Sequence, residues 1–412
     1  EKPALLYWMT ALGFDAGLGP DLAPRLPVAL LSLAFLAFYW TRLRKEFGPR
    51  AASYSTAMLA TSAGWLTYSH VAVTDVPMAV FFSVAVLLSL DWISRGDRTK
   101  LPVAAACLAL AALAKGLVPL VLFAPVVAMP ILHRRWRLAL DWLRPVPLLS
   151  FCVIALPWYI LVTVRNGRDF VRVFFIEQHF SRFSSVALQH VQPWWFYAPI
   201  FLLLLYPWFP LLFLPSVAAP VNFRSGIRFR TLAAVVIFGF LFFTLSLNKL
   251  PGYLIPLLPS TFAVLGVGLA GTQRGPAAFI PPWLLIGALP AAASFAPNVL
   301  GAHGIRATDF PVFELIVPLL LCALTGAIIV IFARDKAFKI SIFATGAAFL
   351  WFQFASFPAF DAAGSARPLL SRGTPNCVPA GPRDLVYGLY YYSGKELPKC
   401  AVLDQSGTRV VR

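Results

Sequence analysis

TDVPMAVFFSVAVLLSLDWISRG, residues 74–96, contains the pattern that decides the fold. Asp75 stands at the start of this run and Arg95 at its end, and the residues between them are almost all apolar. A helix that crosses a bilayer needs roughly 17–25 mostly apolar residues. The stretch 75–94 meets that requirement, so it predicts a membrane-spanning helix.

Apolar runs of this kind recur along the whole chain. Segments that could cross a bilayer lie near 22–41, 51–68, 75–94, 101–114, 117–132, 146–164, 196–214, 230–247, 253–271, 277–297, 312–333 and 339–358. The two segments at 101–114 and 117–132 are short, and they predict either two tilted short helices or one broken helix. The sequence therefore predicts an all-α polytopic membrane protein with about twelve transmembrane helices and a small outward C-terminal tail.

The composition agrees with a lipid environment, because 59% of the residues are hydrophobic and only 12% are charged. Soluble domains average about 25% charged residues. The composition excludes a disordered chain, a fibrous protein and a soluble nucleic-acid-binding protein. The net charge of +17 is consequently read as a topology signal, and no nucleic-acid partner is predicted.

Loops rich in Lys and Arg alternate along the chain with loops that contain few of them, and in membrane proteins such basic loops stay in the cytoplasm. The predicted cytoplasmic loops contain residues 42–50, 95–100, 134–144, 224–230, 274 and 334–339. The other loops and both ends of this chain are predicted to face outward. No signal sequence precedes the outward-facing start at Glu1, so we expect at least one further span and its loop upstream.

Two outward regions are long enough to carry function. Residues 165–195 form a loop rich in aromatic and basic side chains, and residues 359–412 form the C-terminal region. Cys377 and Cys400 both lie in that region, and they can pair if the compartment is oxidising.

Ionisable residues are almost absent from the centres of the predicted spans, which argues against an ion-coupled transporter. They occur at the outward ends instead. Asp75 has two possible interpretations: it belongs to the cap of the helix whose first turn contains Pro77, or it has a chemical role. Capping is the favoured interpretation. Two interpretations fit both Lys249 and Lys115: the lysine binds a lipid phosphate, or its side chain snorkels to the membrane interface. Snorkelling is the favoured interpretation for Lys115.

The outward loop contains the run EQHFSRF at 177–183, in which His179 and Arg182 stand beside aromatic residues. A guanidinium group binds phosphate oxygens in a fork, and aromatic faces suit sugars. Trp194 and Trp195 are instead typical of an interfacial aromatic belt. The sequence contains neither a cluster of metal ligands nor a phosphate-binding glycine loop, so no metal and no cofactor are predicted.

Several short motifs occur in a fixed order: KPALLYW at 2–8, PRLPVAL at 24–30, TDVPMA at 74–79, LAKG at 113–116, LPWY at 156–159, EQHFSRF at 177–183, PWWFY at 193–197 and NKLPGYLIPLLP at 248–259. In this order they resemble the polyprenyl-phosphate-dependent GT-C glycosyltransferases, and within that group the family of the lipid A aminoarabinose transferases and protein O-mannosyltransferases. The resemblance implies a transmembrane transferase domain over 1–358, with 165–195 as its substrate loop, and about thirteen spans in the complete protein.

The resemblance also implies an activity: transfer of a sugar from undecaprenyl or another polyprenyl phosphate to a lipid A-like, glycan or protein acceptor. The reaction would be inverting and metal-independent, at the periplasmic face of a bacterial inner membrane. By the same resemblance Asp75 and Glu1 are the catalytic carboxylates. The donor phosphate would be bound by Lys2, Arg182, Lys249 and Tyr253, and the substrate loop would contribute His179 and Glu177.

One position departs from the family pattern, because the principal acidic residue of the family lies before the position that matches Glu1. We therefore expect that residue upstream of this chain. A flippase for lipid-linked sugars and a catalytically degenerate relative remain open as alternatives. The identity of the sugar and of the acceptor also remains open.

Overall fold

The structure is a computed structural model that describes residues 3–174, 191–214, 226–271, 279–287, 312–332, 336–370, 377–378, 383–398, 400, 402–403 and 409–410. Two compact units divide the chain, one over 1–278 and the other over 279–412. Helices account for nearly all of the described regular structure. The predicted all-α membrane architecture is confirmed.

The first unit consists of helices joined by short turns. They are α1 (Leu5–Asp15), α2 (Leu26–Phe47), α3 (Pro49–Ala60), α4 (Ala63–Ser69), α5 (Asp75–Arg95), α6 (Leu101–Lys115), α7 (Val118–Leu122), α8 (Ala124–Leu132), α9 (Pro145–Val171), α10 (Tyr197–Leu204), α11 (Ile227–Leu245) and α12 (Leu258–Ala270). Short 3₁₀ segments lie at Trp136–Leu143, Trp194–Phe196, Phe209–Phe213 and Pro251–Leu257.

The second unit contains α13 (Val312–Phe332), α14 (Ala337–Gly364), α15 (Arg367–Leu370), α16 (Arg383–Ser393) and two paired antiparallel strands, β1 (Val402–Leu403) and β2 (Arg409–Val410). A disulfide joins Cys377 to Cys400. Ala366, Val378, Leu389 and Leu397 form a small buried cluster. Part of the C-terminal tail therefore has a core of its own.

Six helical segments among the described residues are long and apolar enough to cross a membrane: Leu26–Phe47, Asp75–Arg95, Pro145–Phe170, Ile227–Leu245, Pro251–Ala270 and Ala337–Phe354. Shorter apolar helices lie at Leu101–Lys115, Val118–Leu132 and Trp194–Leu204. The chain is thus a multi-pass membrane protein, although several of the predicted spans are not single long helices.

Three predicted segments are interrupted, two of them for identifiable reasons. The segment 51–68 divides into α3 and α4 because Ser62 starts a new helix, its hydroxyl accepting a hydrogen bond from the Trp65 backbone N–H. The segment 117–132 is broken at Phe123 into α7 and α8. The segment 196–214 is α-helical only as far as Leu204, shortly before Pro207, since proline cannot supply a helical N–H.

Other predicted boundaries also differ from the structure. α1, which was not predicted, spans 11 residues, or roughly 16 Å at 1.5 Å per residue, too short to cross a bilayer. α9 continues to Val171 past a non-helical Gly167, so the predicted outward loop begins within a helix. α14 runs across residues 358 and 359. The assignment of a transferase domain to 1–358 stays a prediction.

α5 is the most enclosed of the long helices, with 89% of its apolar window buried inside the protein, against 11% for Pro145–Phe170. It packs against α6, α2 and the 3₁₀ segment at Pro251–Leu257. Since a loop of only five residues, 96–100, joins α5 to α6, the two helices run in opposite directions. The first residue of α5 and the last residue of α6 consequently meet at one end of the first unit.

Candidate functional site

An ion pair lies where α5 begins and α6 ends. Lys115 Nζ is 2.5 Å from Asp75 Oδ1. Both side chains are largely enclosed, with exposed fractions of 18% for Lys115 and 14% for Asp75. The attraction between two opposite charges strengthens as water is excluded, so this pair fixes the direction of the carboxylate more firmly than a surface pair would.

The ring of Tyr253 packs against the Lys115 ammonium of this ion pair. It lies in the 3₁₀ segment Pro251–Leu257, and Lys115 Nζ lies over its ring, 4.5 Å from the centroid. A cation over a tyrosine face is attracted by the ring quadrupole, by about 0.5–1 kcal/mol or more when water is excluded. The Lys115 ammonium is therefore held between a carboxylate and an aromatic face.

Gly252 brings the backbone of the Pro-Gly turn up against Asp75. A Cβ atom added at this position would lie 2.7 Å from Asp75 Oδ1 and 2.9 Å from Tyr68 Cε1. Both distances are shorter than a normal contact, so only glycine fits without displacing the carboxylate. The sequence Pro251-Gly252-Tyr253 thus supplies a close backbone approach and a ring to the same point.

Lys249 lies just before this turn and is buried, with 3% of its surface exposed. Its ammonium donates hydrogen bonds to the carbonyl oxygen of Gln192, at 3.3 Å, and to that of Ser246. Burial lowers the pKa of Lys249 below its ordinary value of 10.5, because removal from water disfavours the charged form.

The end of the outward loop is fastened to the segment that contains Lys249. The Gln192 N–H donates to the Leu247 carbonyl oxygen at 3.3 Å, and Val191 and Asn248 form an antiparallel β-bridge. The Tyr197 hydroxyl donates to the Leu250 carbonyl oxygen at 3.3 Å and accepts from the Leu250 N–H at 3.2 Å. Residues from the loop thus help to hold Lys249 in place.

These contacts give the site the Asp75 carboxylate fixed by the Lys115 ammonium, the Tyr253 ring against that ammonium, and the Lys249 ammonium shortly before Tyr253 in the chain. Ammonium groups stabilise negative charge on a phosphate. A carboxylate accepts or orients a hydroxyl proton. The arrangement can therefore bind an anionic group beside a group that handles a proton.

Three of the predicted site residues, Asp75, Lys249 and Tyr253, lie in this region. Glu1, Lys2, Glu177, His179 and Arg182 lie outside the described residues. The roles of all eight stay predictions. No group of three or more His, Cys, Asp or Glu side chains arranged to bind a metal occurs in the described part of the chain.

Two interpretations of single residues require correction. Thr74 precedes α5 without a side-chain capping bond, and Asp75 pairs with Lys115, so capping does not account for the carboxylate. Lys115 does not snorkel outward, because Asp75 and Tyr253 enclose its ammonium. The pairing had a signal in the sequence, since the topology puts both residues at the outward ends of consecutive segments.

A second ionic group, which the sequence did not reveal, lies at the opposite ends of the helices. The Asp91 carboxylate forms ion pairs with Arg42 Nη2 at 3.4 Å, with Lys45 Nζ at 3.6 Å and with Lys100 Nζ. The Glu46 carboxylate forms ion pairs with Arg42 Nη2 at 2.8 Å and with Arg228 Nη1 at 3.1 Å. Basic residues interpreted only as topology signals therefore also neutralise two buried carboxylates.

Comparisons with known proteins match the first part of the chain by a family model and about two thirds of it by curated relatives. A family model described as dolichyl-phosphate-mannose-protein mannosyltransferase matches residues 1–167. The undecaprenyl phosphate-α-4-amino-4-deoxy-L-arabinose arabinosyl transferase of Edwardsiella ictaluri is 31% identical over 293 residues, which are 66% of this chain and 49% of that protein. The corresponding protein of Pseudomonas aeruginosa UCBPP-PA14 is 33% identical over 291 residues, 66% of this chain and 50% of its own length.

The chain spans about half the length of the curated relatives it matches. Two crystal structures of ArnT from Cupriavidus metallidurans share its fold. The structure bound to undecaprenyl phosphate has a TM-score of 0.77 at 23% identity, and the match covers 96% of this chain and 75% of the ArnT chain. The apo structure has a TM-score of 0.78 at 24% identity with the same coverage.

Proposed function

We propose that the chain is a member of the polyprenyl-phosphate-dependent GT-C glycosyltransferase family that includes the lipid A aminoarabinose transferases, and that it transfers a sugar from a polyprenyl phosphate carrier to an acceptor. The donor is proposed to be an undecaprenyl phosphate sugar, since the curated relatives are named for such a donor. The proposed acceptor is a lipid A-like molecule, with a glycan or a protein as the other acceptor classes of the family.

The observation that carries this proposal is the Asp75–Lys115 pair beside Tyr253 and the Lys249 turn. It supplies a fixed carboxylate and two ammonium groups at one end of the helices. The distribution of basic loops supports an outward-facing position for that end. We propose accordingly that the protein lies in a bacterial inner membrane with this site open to the periplasm.

In the proposed reaction, a hydroxyl oxygen of the acceptor bonds to the anomeric carbon of the sugar while the bond from that carbon to the phosphate oxygen breaks. The bonding electron pair leaves with the polyprenyl phosphate, and the acceptor proton goes to a carboxylate, Asp75 or Glu1. A single displacement of this kind inverts the anomeric carbon and requires neither a nucleophilic side chain nor a metal. Lys249, together with Lys2 and Arg182, stabilises the charge that develops on the phosphate.

Lys115 has a positioning role in this scheme, because its ammonium contacts Asp75 and the Tyr253 ring. Replacing it with methionine would keep much of the side-chain volume and would release the carboxylate. We expect the variant to lower kcat more than it raises KM for the donor, since the phosphate is held elsewhere.

The test uses the full-length protein reconstituted in lipid with an undecaprenyl phosphate sugar and lipid A, with the aminoarabinose donor tried first. We expect Asp75→Asn to lower the transfer rate about 100-fold or more, in the range typical of a lost acid or base, while the donor still binds. We expect Lys249→Met to weaken donor binding as well. Asp97→Asn and Lys336→Met remove comparable charges elsewhere and should leave the rate unchanged.

Each outcome bears on the proposal. Full transfer by both site variants would remove this region from the active site. Movement of labelled lipid-linked sugar across the bilayer without any transfer would favour a flippase. Donor binding by the full-length protein without transfer or movement would identify a degenerate relative.

A further inference from the structure

An apolar cavity of about 220 Å³ lies in the first unit, away from the Asp75 site. It is lined by Ala105, Leu108, Leu120, Trp142, Pro147, Leu148 and Phe151. Sites that enclose a whole small-molecule ligand occupy roughly 300–1,000 Å³, so this cavity suits part of a long apolar chain. Leu148 lines it and is 45% exposed, so the cavity reaches the outer surface of the protein.

The surface around this cavity is apolar and lies on the outside of the first unit. Leu140, Leu143, Val146 and Leu149 are all exposed. They belong to the 3₁₀ segment Trp136–Leu143 and the start of α9. In a membrane protein such side chains lie against lipid, and an amphipathic segment with basic flanks lies at the membrane surface. We therefore expect the neighbourhood of the cavity to contact acyl chains in the membrane.

A polar group within the cavity wall has no partner. Trp142 Nε1 is buried and lacks a hydrogen-bond acceptor among the residues that the structure describes. A buried donor without an acceptor costs free energy, and tryptophan N–H groups usually find a partner when buried. A ligand in the cavity that carries an acceptor next to an apolar chain would satisfy it after a small rotation of the indole, because Nε1 itself has almost no exposed surface.

The charges next to Trp142 favour an anion. Arg98 Nε and Arg144 Nε lie 2.8 Å and 2.9 Å from the two carboxylate oxygens of Asp141. Two guanidinium groups thus face one carboxylate, which leaves an excess positive charge. Both arginine side chains are about half exposed, at 49% and 55%, so a headgroup at the membrane surface can reach them.

We propose that this cavity binds one acyl chain of an anionic phospholipid from the predicted cytoplasmic leaflet. The ester carbonyl oxygen of the lipid accepts a hydrogen bond from Trp142 Nε1. The headgroup phosphate contacts Arg98 and Arg144, which are basic residues of the predicted cytoplasmic loops. This site is separate from the one proposed for the polyprenyl phosphate donor, and it does not depend on that function.

The test measures the binding of single lipids to the purified, delipidated full-length protein by native mass spectrometry. Phosphatidylglycerol should bind one-to-one and several-fold more tightly than phosphatidylcholine with the same acyl chains. Glycerol 3-phosphate, which has the anionic group without the chains, should not displace it. Equal affinity for the two lipids, or displacement by glycerol 3-phosphate, would overturn the proposal.

Two variants separate the parts of the site. Trp142→Phe keeps an aromatic ring but removes the N–H, and it should raise the Kd for both lipids about five-fold, as expected for one hydrogen bond. Arg144→Gln changes an exposed side chain. It should weaken the binding of phosphatidylglycerol and leave the binding of phosphatidylcholine unchanged.

Matched controls lie on the same segment. Trp136→Phe and Arg137→Gln make the same chemical changes at residues that do not line the cavity or contact Asp141, and they should bind lipid as the wild type does. Should Trp142→Phe fail to fold, the selective effect of Arg144→Gln still decides the question. Unchanged lipid preference in that variant, or equal losses in the controls, would contradict the proposed site.

Discussion

Gly252 is a residue whose side chain, a single hydrogen, determines the geometry of the candidate site. Its backbone approaches both the Asp75 carboxylate and the Tyr68 ring more closely than a methyl group would allow. A Gly252→Ala change must therefore displace Asp75 or the Pro-Gly turn. We expect the transfer rate to fall at least about 10-fold, since small misplacements of catalytic groups cost rates of that order or more.

Initial rates measured with lipid-linked sugar check this expectation. Gly346→Ala is a matched control, because a Cβ added at Gly346 would meet nothing within 4 Å, and its rate should equal that of the wild type. If Gly252→Ala retained the wild-type rate, the close approach to Asp75 would have no part in catalysis.

Lys249 should make the activity depend on pH. Burial lowers its pKa below 10.5, so its ammonium loses a proton at a lower pH than an exposed lysine would. A phosphate donor needs the charged form, and donor affinity should therefore fall on the alkaline side, below pH 10.5. The stability contribution has the opposite sign: the unfolded chain binds the proton more tightly, so the free energy of unfolding rises with pH between the lowered pKa and 10.5.

A profile of kcat/KM against pH measures the first effect. Lys249→Arg keeps its charge at any accessible pH, so its alkaline decline should shift to higher pH. Lys336→Arg should leave the profile of the wild type unchanged. An identical alkaline decline in Lys249→Arg would show that another group is responsible.

At the scale of elements, ionic contacts join helices at the end opposite the candidate site. Asp91 at the end of α5 contacts residues of α2 and Lys100 just before α6, while Glu46 links α2 to Arg228 of α11. Removal of one partner from a buried ion group leaves uncompensated charge and costs about 3–5 kcal/mol. These contacts therefore fix the helix ends relative to one another.

Asp91→Asn tests this arrangement, because it removes the carboxylate and leaves Arg42, Lys45 and Lys100 facing one another. We expect Tm to fall by about 5 °C or more, given the several degrees per kcal/mol typical of proteins. Asp97→Asn, which changes a partly exposed carboxylate in the next loop, should change Tm by no more than about 1 °C. Thermal unfolding in detergent, followed by tryptophan fluorescence, measures both, and equal shifts would contradict a structural role for Asp91.

Sequence alone predicted the elements whose signals are local. The span at 75–94 corresponds to α5, because its apolar run is uninterrupted and Gly96, with φ of 76°, ends the helix in a left-handed conformation. Capping by Ser62 and the proline at position 207 divide other segments, and a hydropathy pattern does not contain that information. The boundaries of those helices were accordingly wrong.

The candidate site was predictable only in part for a similar reason. Asp75, Lys249 and Tyr253 were found from their positions at outward ends and from motifs. The topology put Lys115 on the same side of the membrane as Asp75, but the contacts of Lys115 and Gly252 depend on how α5, α6 and the Pro-Gly turn pack together. Side chains far apart in sequence meet there, and neither residue type signals such a contact by itself.

At the scale of the whole molecule, the distribution of basic residues predicts how the protein is oriented in the membrane. The structure collects Arg42, Lys45, Lys100 and Arg228 at one end, and all four were assigned to cytoplasmic loops. The Asp75–Lys115 pair lies at the other end of α5 and α6. If basic loops stay inside, the candidate site opens to the outer side of the membrane.

Cysteine labelling in spheroplasts tests this orientation in a chain whose Cys107, Cys152 and Cys322 are replaced by alanine. A charged, membrane-impermeant maleimide should modify Trp194→Cys, because Trp194 is 77% exposed beside the candidate site. Thr99→Cys, which is exposed in the loop between α5 and α6, should react only after the membrane is permeabilised. The reverse pattern would put Asp75 and Lys249 on the cytoplasmic side and would remove the basis for an outward-facing transfer.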